Sequence, residues 1–250
     1  MPVKVEVREG IAHVVLHDPP LNILGRALLG ELRGALAGLA EDRTLRALVL
    51  GAEGRHFSAG ASVEEHLPGE VEEMIPEFMA TVAAVEGFPA PVVVAVQGRC
   101  LGGALELALA GDLVVAGEGA LLGVPEIALG VFPPAACVQL PRLVGPALAA
   151  EMILTGVPLD AASAGRAGLV RRVVPDERVT EIAMELAETM AKHSAAALRT
   201  AKRALRVGAG TTDPGPAVTR IYLEDLMRTA DATEGIRSFV EKRRPEWSHS

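Results

Sequence analysis

Cysteine is scarce in this chain, and neither cysteine has the spacing of a metal ligand. The two are Cys100 and Cys137, and they form no ligand pattern with the six histidines. The sequence therefore gives no indication of a metal site. Such low cysteine use is also typical of a protein that works in a reducing compartment.

Long apolar runs and basic stripes are also missing. Hydrophobic residues make up 50% of the 250 residues, yet glycine, proline or a charge interrupts every apolar stretch before the roughly 18–20 residues that a membrane span needs. The net charge is −8, and no stripe of lysine and arginine suits a phosphate backbone. We therefore expect no membrane and no nucleic-acid partner, and we expect the apolar surplus to be buried in the core and in subunit interfaces.

Several functional signatures are absent as well. No G-x-S-x-G elbow, no G-x-G-x-x-G turn after a strand and no P-loop occurs, which argues against a serine hydrolase and against dinucleotide or triphosphate sites. His56 and His66 are interpreted as solvated surface residues. No targeting pattern precedes the strand-like start MPVKVEVREG, so the expected location is cytoplasmic.

Apolar periodicity predicts an α/β fold. Alternation on both sides of Glu9-Gly10 predicts a hairpin, and leucines at helical spacing predict a helix over 24–40. Continuous apolar runs indicate strands that are covered on both faces and paired in parallel. Strands are predicted at 47–50, 92–96 and 113–116, and further helices at 75–86, 147–155, 161–167, 178–192, 195–207 and 218–229, with a loop at 208–216. The helical tail is too rich in alanine and leucine to stand alone.

One carboxylate stands in an apolar environment. Glu106 is the only ionisable residue of an apolar run that follows a strand-like segment and the pair Gly102-Gly103, and no charge lies three or four residues away. A buried unpaired charge costs several kcal/mol, so such a carboxyl is expected to have a raised pKa and a transferable proton. A Glu on a solvated helix face is the alternative. We interpret Glu106 as an acid/base group.

Two turns rich in small residues resemble each other. Ser58-Ala59-Gly60-Ala61 and Gly102-Gly103 each join a strand to a helix start, where free N–H groups can donate hydrogen bonds to an anionic oxygen. Two such turns could converge two donors on one oxygen, which is an oxyanion hole. An ordinary strand-to-helix turn is the alternative for the first.

A second carboxylate, Glu126, follows Pro125 in a segment punctuated by glycine and proline, 20 residues after Glu106. A helix N-terminal acid is the alternative interpretation. Two carboxylates beside an oxyanion hole would act as a general acid/base pair.

These motifs resemble the crotonase superfamily, the enoyl-CoA hydratase/isomerase family. Three strings carry the resemblance along essentially the whole chain: HFSAGASVEEH, CLGGALELALAGDLVVAGEGALLGVPEIALGVFP and EGIRSFVEKRRPEW. The resemblance implies a crotonase-like ββα spiral core over residues 1–190 and a C-terminal helical trimerisation region over 191–250. It also implies a homohexamer, built as a dimer of trimers.

The resemblance further implies site residues and an activity, the hydration of an α,β-unsaturated acyl-CoA. Glu106 and Glu126 would be the two hydratase carboxylates, and the N–H groups of Ala59 and Gly103 the oxyanion hole. Coenzyme A would be part of the substrate, with no other cofactor. The residues that would contact CoA are Ser58, Ala59, Gly60 and Ala61, together with Phe239 and Lys242, which would do so across a subunit interface.

The chain also departs from the family pattern. Ser62 replaces the usual aspartate, and Pro134, which has no N–H, occupies a glycine position whose N–H is thought to help hold the reacting water. The strings GASVEEHLP, LGVFPPAA and FVEKRRPEW resemble the cyclohexa-1,5-diene-1-carbonyl-CoA hydratases. A generic enoyl-CoA hydratase, an isomerase or other acyl-CoA lyase of this fold, and a non-catalytic RNA-binding member stay open as alternatives.

Overall fold

The computed structural model describes residues 2–193, 195–208, 219, 221–228 and 230–246. It opens with the predicted hairpin, in which β1 (Val3–Arg8) and β2 (Ile11–Leu16) pair antiparallel. The two turn residues, Glu9 and Gly10, have φ values of 50° and 74°. Such positive φ values are typical of a two-residue hairpin turn, and glycine adopts them without strain.

The hairpin leads into a mainly parallel sheet. The strands that follow are β3 (Ala47–Ala52), β4 (Val92–Val96), β5 (Arg99–Leu101), β6 (Leu113–Gly117), β7 (Leu121–Gly123), β8 (Leu159–Asp160) and β9 (Arg172–Val174). Six of them form a sheet in the order β1-β2-β3-β4-β6-β9, in which every pairing after the hairpin is parallel. A second sheet has the order β5-β7-β8. The predicted α/β class is confirmed.

Helices cover both faces of the main sheet. They are α1 (Arg26–Ala40), α2 (Val71–Gly87), α3 (Gly103–Leu109), α4 (Ala136–Thr155), α5 (Ala161–Ala167), α6 (Val179–Ala191), α7 (Ala195–Gly208) and α8 (Ala230–Val240). Because strand side chains alternate between faces, Leu48 and Leu50 join the core formed with α1 and α2, whereas Ala47 and Val49 pack towards α6. This two-sided cover explains why the central strands read as unbroken apolar runs.

Several boundaries differ from the sequence-based predictions. The strand β3 continues past Leu50 through Gly51 to Ala52, because β2 pairs with it along its whole length. The helix α2 begins at Val71 and contains Pro76, instead of starting at residue 75. Within the predicted helix 218–229, the described residues form a π-helical turn, Ile221–Asp225, and a 3-10 turn, Leu226–Arg228. Most of the predicted loop 208–216 lies outside the described residues.

The helix α4 also begins earlier than predicted, at Ala136 and not at residue 147. Among the described residues it is the one helix that is long and apolar enough to cross a membrane, judged by length and composition only. Gly145 interrupts it, with φ 79° and ψ 162°. Neither half then reaches the ~20 residues that a membrane-spanning helix needs.

The C-terminal helices pack on the core of the same chain. On α7, the buried Lys202 Nζ lies 2.6 Å from a carboxylate oxygen of Asp112 and donates to the Ala90 carbonyl at 3.0 Å. On α8, a Cβ added to Gly235 would lie 1.8 Å from the carbonyl oxygen of Leu129. Leu129 ends the 3-10 turn Pro125–Leu129, so α8 can lie against this turn only with glycine at that position.

We predict that Gly235→Ala destabilises the protein, because the new methyl group overlaps the Leu129 backbone. Overpacking of this kind costs about 1–3 kcal/mol. The matched control is Gly30→Ala in α1, where an added Cβ meets no heavy atom within 4 Å and the better helix propensity adds about 0.5–1 kcal/mol. Denaturant unfolding of both variants checks this, and equal stability of the two would refute the close approach.

Candidate active site

A cavity of about 80 Å³ lies where the loop after β3, the start of α3 and the segment between β7 and α4 meet. Among the described residues that line it, two are carboxylates and none is a lysine or arginine, so neither of these cations offsets the negative charge there. The lining residues are Ala59, Gly60, Ala61, Val63, His66, Met74, Ile75, Phe78, Gly102, Gly103, Glu106, Pro125, Glu126, Leu129, Val131, Phe132 and Pro134.

Two glycines allow the chain segments to approach each other here. Gly60 has φ +112°, and a Cβ on it would lie 2.8 Å from the Leu101 carbonyl oxygen. Gly102 has φ +59°, and its added Cβ would lie 2.8 Å from Oε1 of Glu126. Because other residues rarely adopt these φ values and have no room for a side chain, both turns require glycine.

The free backbone donors differ from those that sequence reasoning assigned. The N–H of Ala59 donates to the carbonyl of Leu21 at 2.9 Å and is not available to a ligand. The N–H groups of Ala61 and Gly103 have no acceptor among the described residues. These two residues are neighbours, since a Cβ on Gly103 would lie 3.4 Å from the Ala61 Cβ. The assignment of Ala59 is therefore corrected to Ala61, while Gly103 keeps its place.

Glu106 lies on α3 with 2% of its surface exposed. Its Oε1 accepts hydrogen bonds from the N–H groups of Ala135 at 2.6 Å and Ala136 at 2.8 Å. Burial raises the pKa of Glu106 to about 7, although the two N–H donors act in the opposite direction. The carboxyl group can therefore gain and lose a proton near neutral pH.

Glu126 enters the cavity from the 3-10 turn Pro125–Leu129. Its Oε2 is buried and has no hydrogen-bond partner among the described residues. Burial raises the pKa of Glu126 well above its ordinary value, and the nearby charge of Glu106 raises it further. An unpartnered buried oxygen costs about 1–3 kcal/mol, which favours the protonated form of this carboxyl.

The two carboxyls have different environments. Glu106 has two N–H donors that stabilise its ionised form, whereas Glu126 has no such donor on Oε2 and faces a like charge. These differences favour the ionised form of Glu106 and the protonated form of Glu126. Such a pair supplies a base and an acid at the same pH.

Both histidines flanking the Gly60 loop are less exposed than predicted. His66 lines the cavity, and its Nδ1 lies 2.7 Å from the carbonyl oxygen of Ser62, so Nδ1 carries the hydrogen. Burial lowers the pKa of His66. His56 accepts the N–H of Arg99 on Nδ1 at 3.1 Å. The interpretation of both as plain surface residues is corrected.

Sequence reasoning missed Tyr222, the only tyrosine of the chain. It is fully buried, its ring packs edge-on against Phe132 with centroids 5.2 Å apart, and its hydroxyl has no partner among the described residues. Burial raises the pKa of Tyr222, with further contributions from Glu126 and then Glu106. No local motif around residue 222 indicated this position.

The residues predicted to contact CoA do not all lie at the cavity. Ser58 is fully buried, and its Oγ accepts the N–H of Gly60 at 3.0 Å, so it shapes the loop and is not open to a ligand. Phe239 and Lys242 lie exposed at the end of α8 and just after it. Their contact with CoA across a subunit interface stays a prediction.

Within the part of the chain that the structure describes, no group of three or more His, Cys, Asp and Glu side chains could hold a metal ion. The cavity has instead two free N–H donors and a carboxyl pair. This arrangement can stabilise a developing oxyanion and move protons at neighbouring atoms.

Comparison with known proteins agrees with this chemistry. The chain matches the enoyl-CoA hydratase/isomerase family over residues 6–250. A cyclohexa-1,5-dienecarbonyl-CoA hydratase of Thauera aromatica is 39% identical over 99% of this chain and 97% of its own length. A 2,3-dehydroadipyl-CoA hydratase of Escherichia coli is 40% identical over 90% of both chains.

Solved structures show the same fold. An enoyl-CoA hydratase of Mycobacterium avium subsp. paratuberculosis superposes with a TM-score of 0.88, covers 99% of both chains and is 27% identical. An enoyl-CoA hydratase/isomerase of Pseudoalteromonas atlantica also has a TM-score of 0.88, covers 99% of this chain and 100% of its own, and is 29% identical. The predicted crotonase-like fold is confirmed.

We predict that Glu106→Gln gains stability over the wild type as the pH rises. The folded-state pKa of Glu106 lies above its ordinary 4.5, at about 7. The contribution of this carboxyl to stability is therefore fully present below pH 4.5 and is lost as the pH rises through 7. Above pH 7 the difference in the free energy of unfolding should reach about 3 kcal/mol. Denaturant titrations at pH 5 and pH 8 measure it.

The matched control is Glu188→Gln, the same substitution at an exposed position of α6. A stability difference between Glu106→Gln and the wild type that is the same at both pH values would contradict the raised pKa.

Proposed function

The chain belongs to the enoyl-CoA hydratase/isomerase family and is a hydro-lyase of that family, and we propose that its preferred substrate is a cyclic dienoyl-CoA thioester. The single observation that carries the hydratase chemistry is a pair of buried carboxyls with different hydrogen-bond environments beside two free N–H donors. An isomerase, which only moves a proton, has less need of a second carboxyl.

In the proposed reaction, the thioester oxygen accepts hydrogen bonds from the N–H groups of Ala61 and Gly103. These donors stabilise the enolate that forms when water adds to the carbon–carbon double bond, and loss of one such donor typically costs ~10²–10³ in rate. Glu106, as the ionised carboxylate, takes the proton of the water. Glu126, as the protonated carboxyl, returns a proton to carbon.

No electrons are gained or lost in this addition, so the proposal requires no redox carrier, and coenzyme A enters as part of the substrate.

The free N–H groups lie at the Gly60 and Gly102 turns. The thioester carbon must therefore lie between these turns, with the acyl group directed towards the two carboxyls.

The cyclic substrate is favoured by the apolar part of the cavity wall. Val131, Phe132 and Pro134 line the cavity, and Met74 and Phe78 complete an apolar surface. Apolar, largely preformed pockets select for shape, and a flat alicyclic ring fits a narrow apolar cavity better than a flexible chain. The Thauera aromatica relative, similar over the whole chain, is named for a ring substrate.

We also propose a homo-oligomer, most simply the hexamer that the family resemblance implies. Several large apolar side chains are exposed on the surface of the single chain, which supports an oligomer. Leu143 and Leu154 on α4 are 47% and 69% exposed, and Leu205 on α7 is 76% exposed. Apolar surfaces of this kind mark interaction sites, and here they lie on α4 as well as on the C-terminal region.

We predict that Glu106→Gln and Glu126→Gln each lower kcat for hydration by about 10²–10⁴, as expected for loss of a general acid or base. The double variant should lose far less than the product of the two losses, because both groups serve one step. Steady-state hydration assays measure this, with Glu188→Gln as the surface control. Near wild-type hydration by either single variant would overturn the two-carboxyl mechanism.

We predict a higher kcat/KM for cyclohexa-1,5-diene-1-carbonyl-CoA than for crotonyl-CoA, and a shift towards crotonyl-CoA in Pro134→Gly. Apolar shape discrimination is worth ~1–3 kcal/mol, so the ratio should move by tens-fold. The products are identified by the mass of the added water.

The control for this substrate test is Pro133→Gly, since Pro133 is buried but does not line the cavity. It should leave the ratio of the two kcat/KM values unchanged. A wild type that strongly prefers crotonyl-CoA would support a generic enoyl-CoA hydratase and defeat the ring-substrate proposal.

A further inference from the structure

The proposed hydration needs a group that holds the water, and the segment 134–136 next to Glu106 has no backbone donor to spare. Pro134 lines the cavity and has no N–H. The next two N–H groups, those of Ala135 and Ala136, are both directed at Oε1 of Glu106. A water beside this segment therefore receives no hydrogen bond from it, and a side chain can supply one.

His66 is not a suitable donor in this position. Its Nδ1 faces the carbonyl oxygen of Ser62 at 2.7 Å and must carry the ring hydrogen. Because burial keeps the pKa of His66 low, the ring is neutral and its Nε2 is an acceptor. The imidazole can therefore accept a hydrogen bond at the cavity but cannot donate one.

Tyr222 has the required hydroxyl. Its ring packs behind two residues of the cavity wall, edge-on to Phe132 at 5.2 Å and tilted to His66 at 6.4 Å between centroids. The hydroxyl is buried without a partner among the described residues, and so is Oε2 of Glu126. Both carboxyls also act electrostatically on this phenol, which agrees with the position of its ring beside two cavity-lining residues.

Two unpartnered buried polar atoms of complementary type are satisfied when one water bridges them. We infer that the Tyr222 hydroxyl donates a hydrogen bond to the reacting water and, together with the Glu126 and Glu106 carboxyls, positions that water for addition. This inference rests on the proposed hydratase function. Tyr222 thereby replaces the backbone donor that Pro134 removes.

The step balances without further reactants. The water oxygen bonds to the β-carbon while the π-electron pair of the double bond moves towards the thioester oxygen. One water proton passes to Glu106, and the other stays on the oxygen as the product hydroxyl. The enolate collapses as Glu126 protonates carbon, and the proton on Glu106 then returns to Glu126. Tyr222 keeps its own proton throughout, because it only donates a hydrogen bond to the water oxygen.

The test separates water addition from proton transfer at carbon. Tyr222→Phe removes the hydroxyl and keeps the ring that packs on Phe132. Hydration is measured on the better of the two unsaturated acyl-CoA substrates. The second reaction is hydrogen–deuterium exchange at the α-carbon of butyryl-CoA or cyclohexanecarbonyl-CoA in D₂O, which uses the carboxyls and the oxyanion donors but adds no water.

We predict that Tyr222→Phe lowers kcat for hydration by about 100-fold, the size of effect that misplacing a reactant has. KM and the exchange rate should stay within about threefold of the wild type. The comparator Phe132→Leu disturbs the aromatic packing but keeps the hydroxyl, and it should lower hydration and exchange in proportion.

Unchanged hydration in Tyr222→Phe would overturn the inference, and so would equal losses of hydration and exchange, which indicate a merely structural role. A selective loss of hydration in Phe132→Leu would overturn it too, since the hydroxyl is then not the cause. A wild type that exchanges protons but adds no water to any substrate would instead overturn the proposed function.

Discussion

The geometry of the site depends on one buried interaction, the two hydrogen bonds from the Ala135 and Ala136 N–H groups to Oε1 of Glu106. They join α3 to the start of α4, and so they hold the Pro134 wall against the carboxyl-bearing helix. They also offset part of the cost of burying a carboxyl. Without them, desolvation alone would keep Glu106 protonated and useless as a base at neutral pH.

The pKa of the second carboxyl, Glu126, depends on the charge of the first. Glu126 lies in a 3-10 turn that α8 covers, and Gly102 leaves room for its Oε1 on one side while Gly235 lets α8 approach on the other. The negative charge of Glu106 then raises the pKa of Glu126. An acid and a base of the same residue type thus coexist because their hydrogen-bond environments differ. Unpartnered polar atoms lower the stability of the folded chain at its reactive centre, which is a recurrent feature of active sites.

Much of this was accessible from the sequence, for identifiable reasons. The apolar runs of β4 and β6 predicted strands buried on both faces, and Glu106 stood out because no charge lies three or four residues from it. Boundaries were less accessible: β3 extends to Ala52 because β2 pairs with it there. The helix α2 begins at Val71, before the predicted residue 75, and accommodates Pro76.

By itself the sequence determined the α/β class, the two carboxyls and the glycine turns, because local periodicity and the steric freedom of glycine are properties of short segments. Only the tertiary structure decided which groups are free to react. Ala59 and Ala61 look alike in the sequence, but the Leu21 carbonyl, from a distant segment, occupies the N–H of one and leaves the other open. Likewise, Tyr222 packs against Phe132 of the cavity wall only because the chain returns there after ninety residues. Hydrogen-bond availability and desolvation are set by neighbours from elsewhere in the chain, which no local pattern encodes.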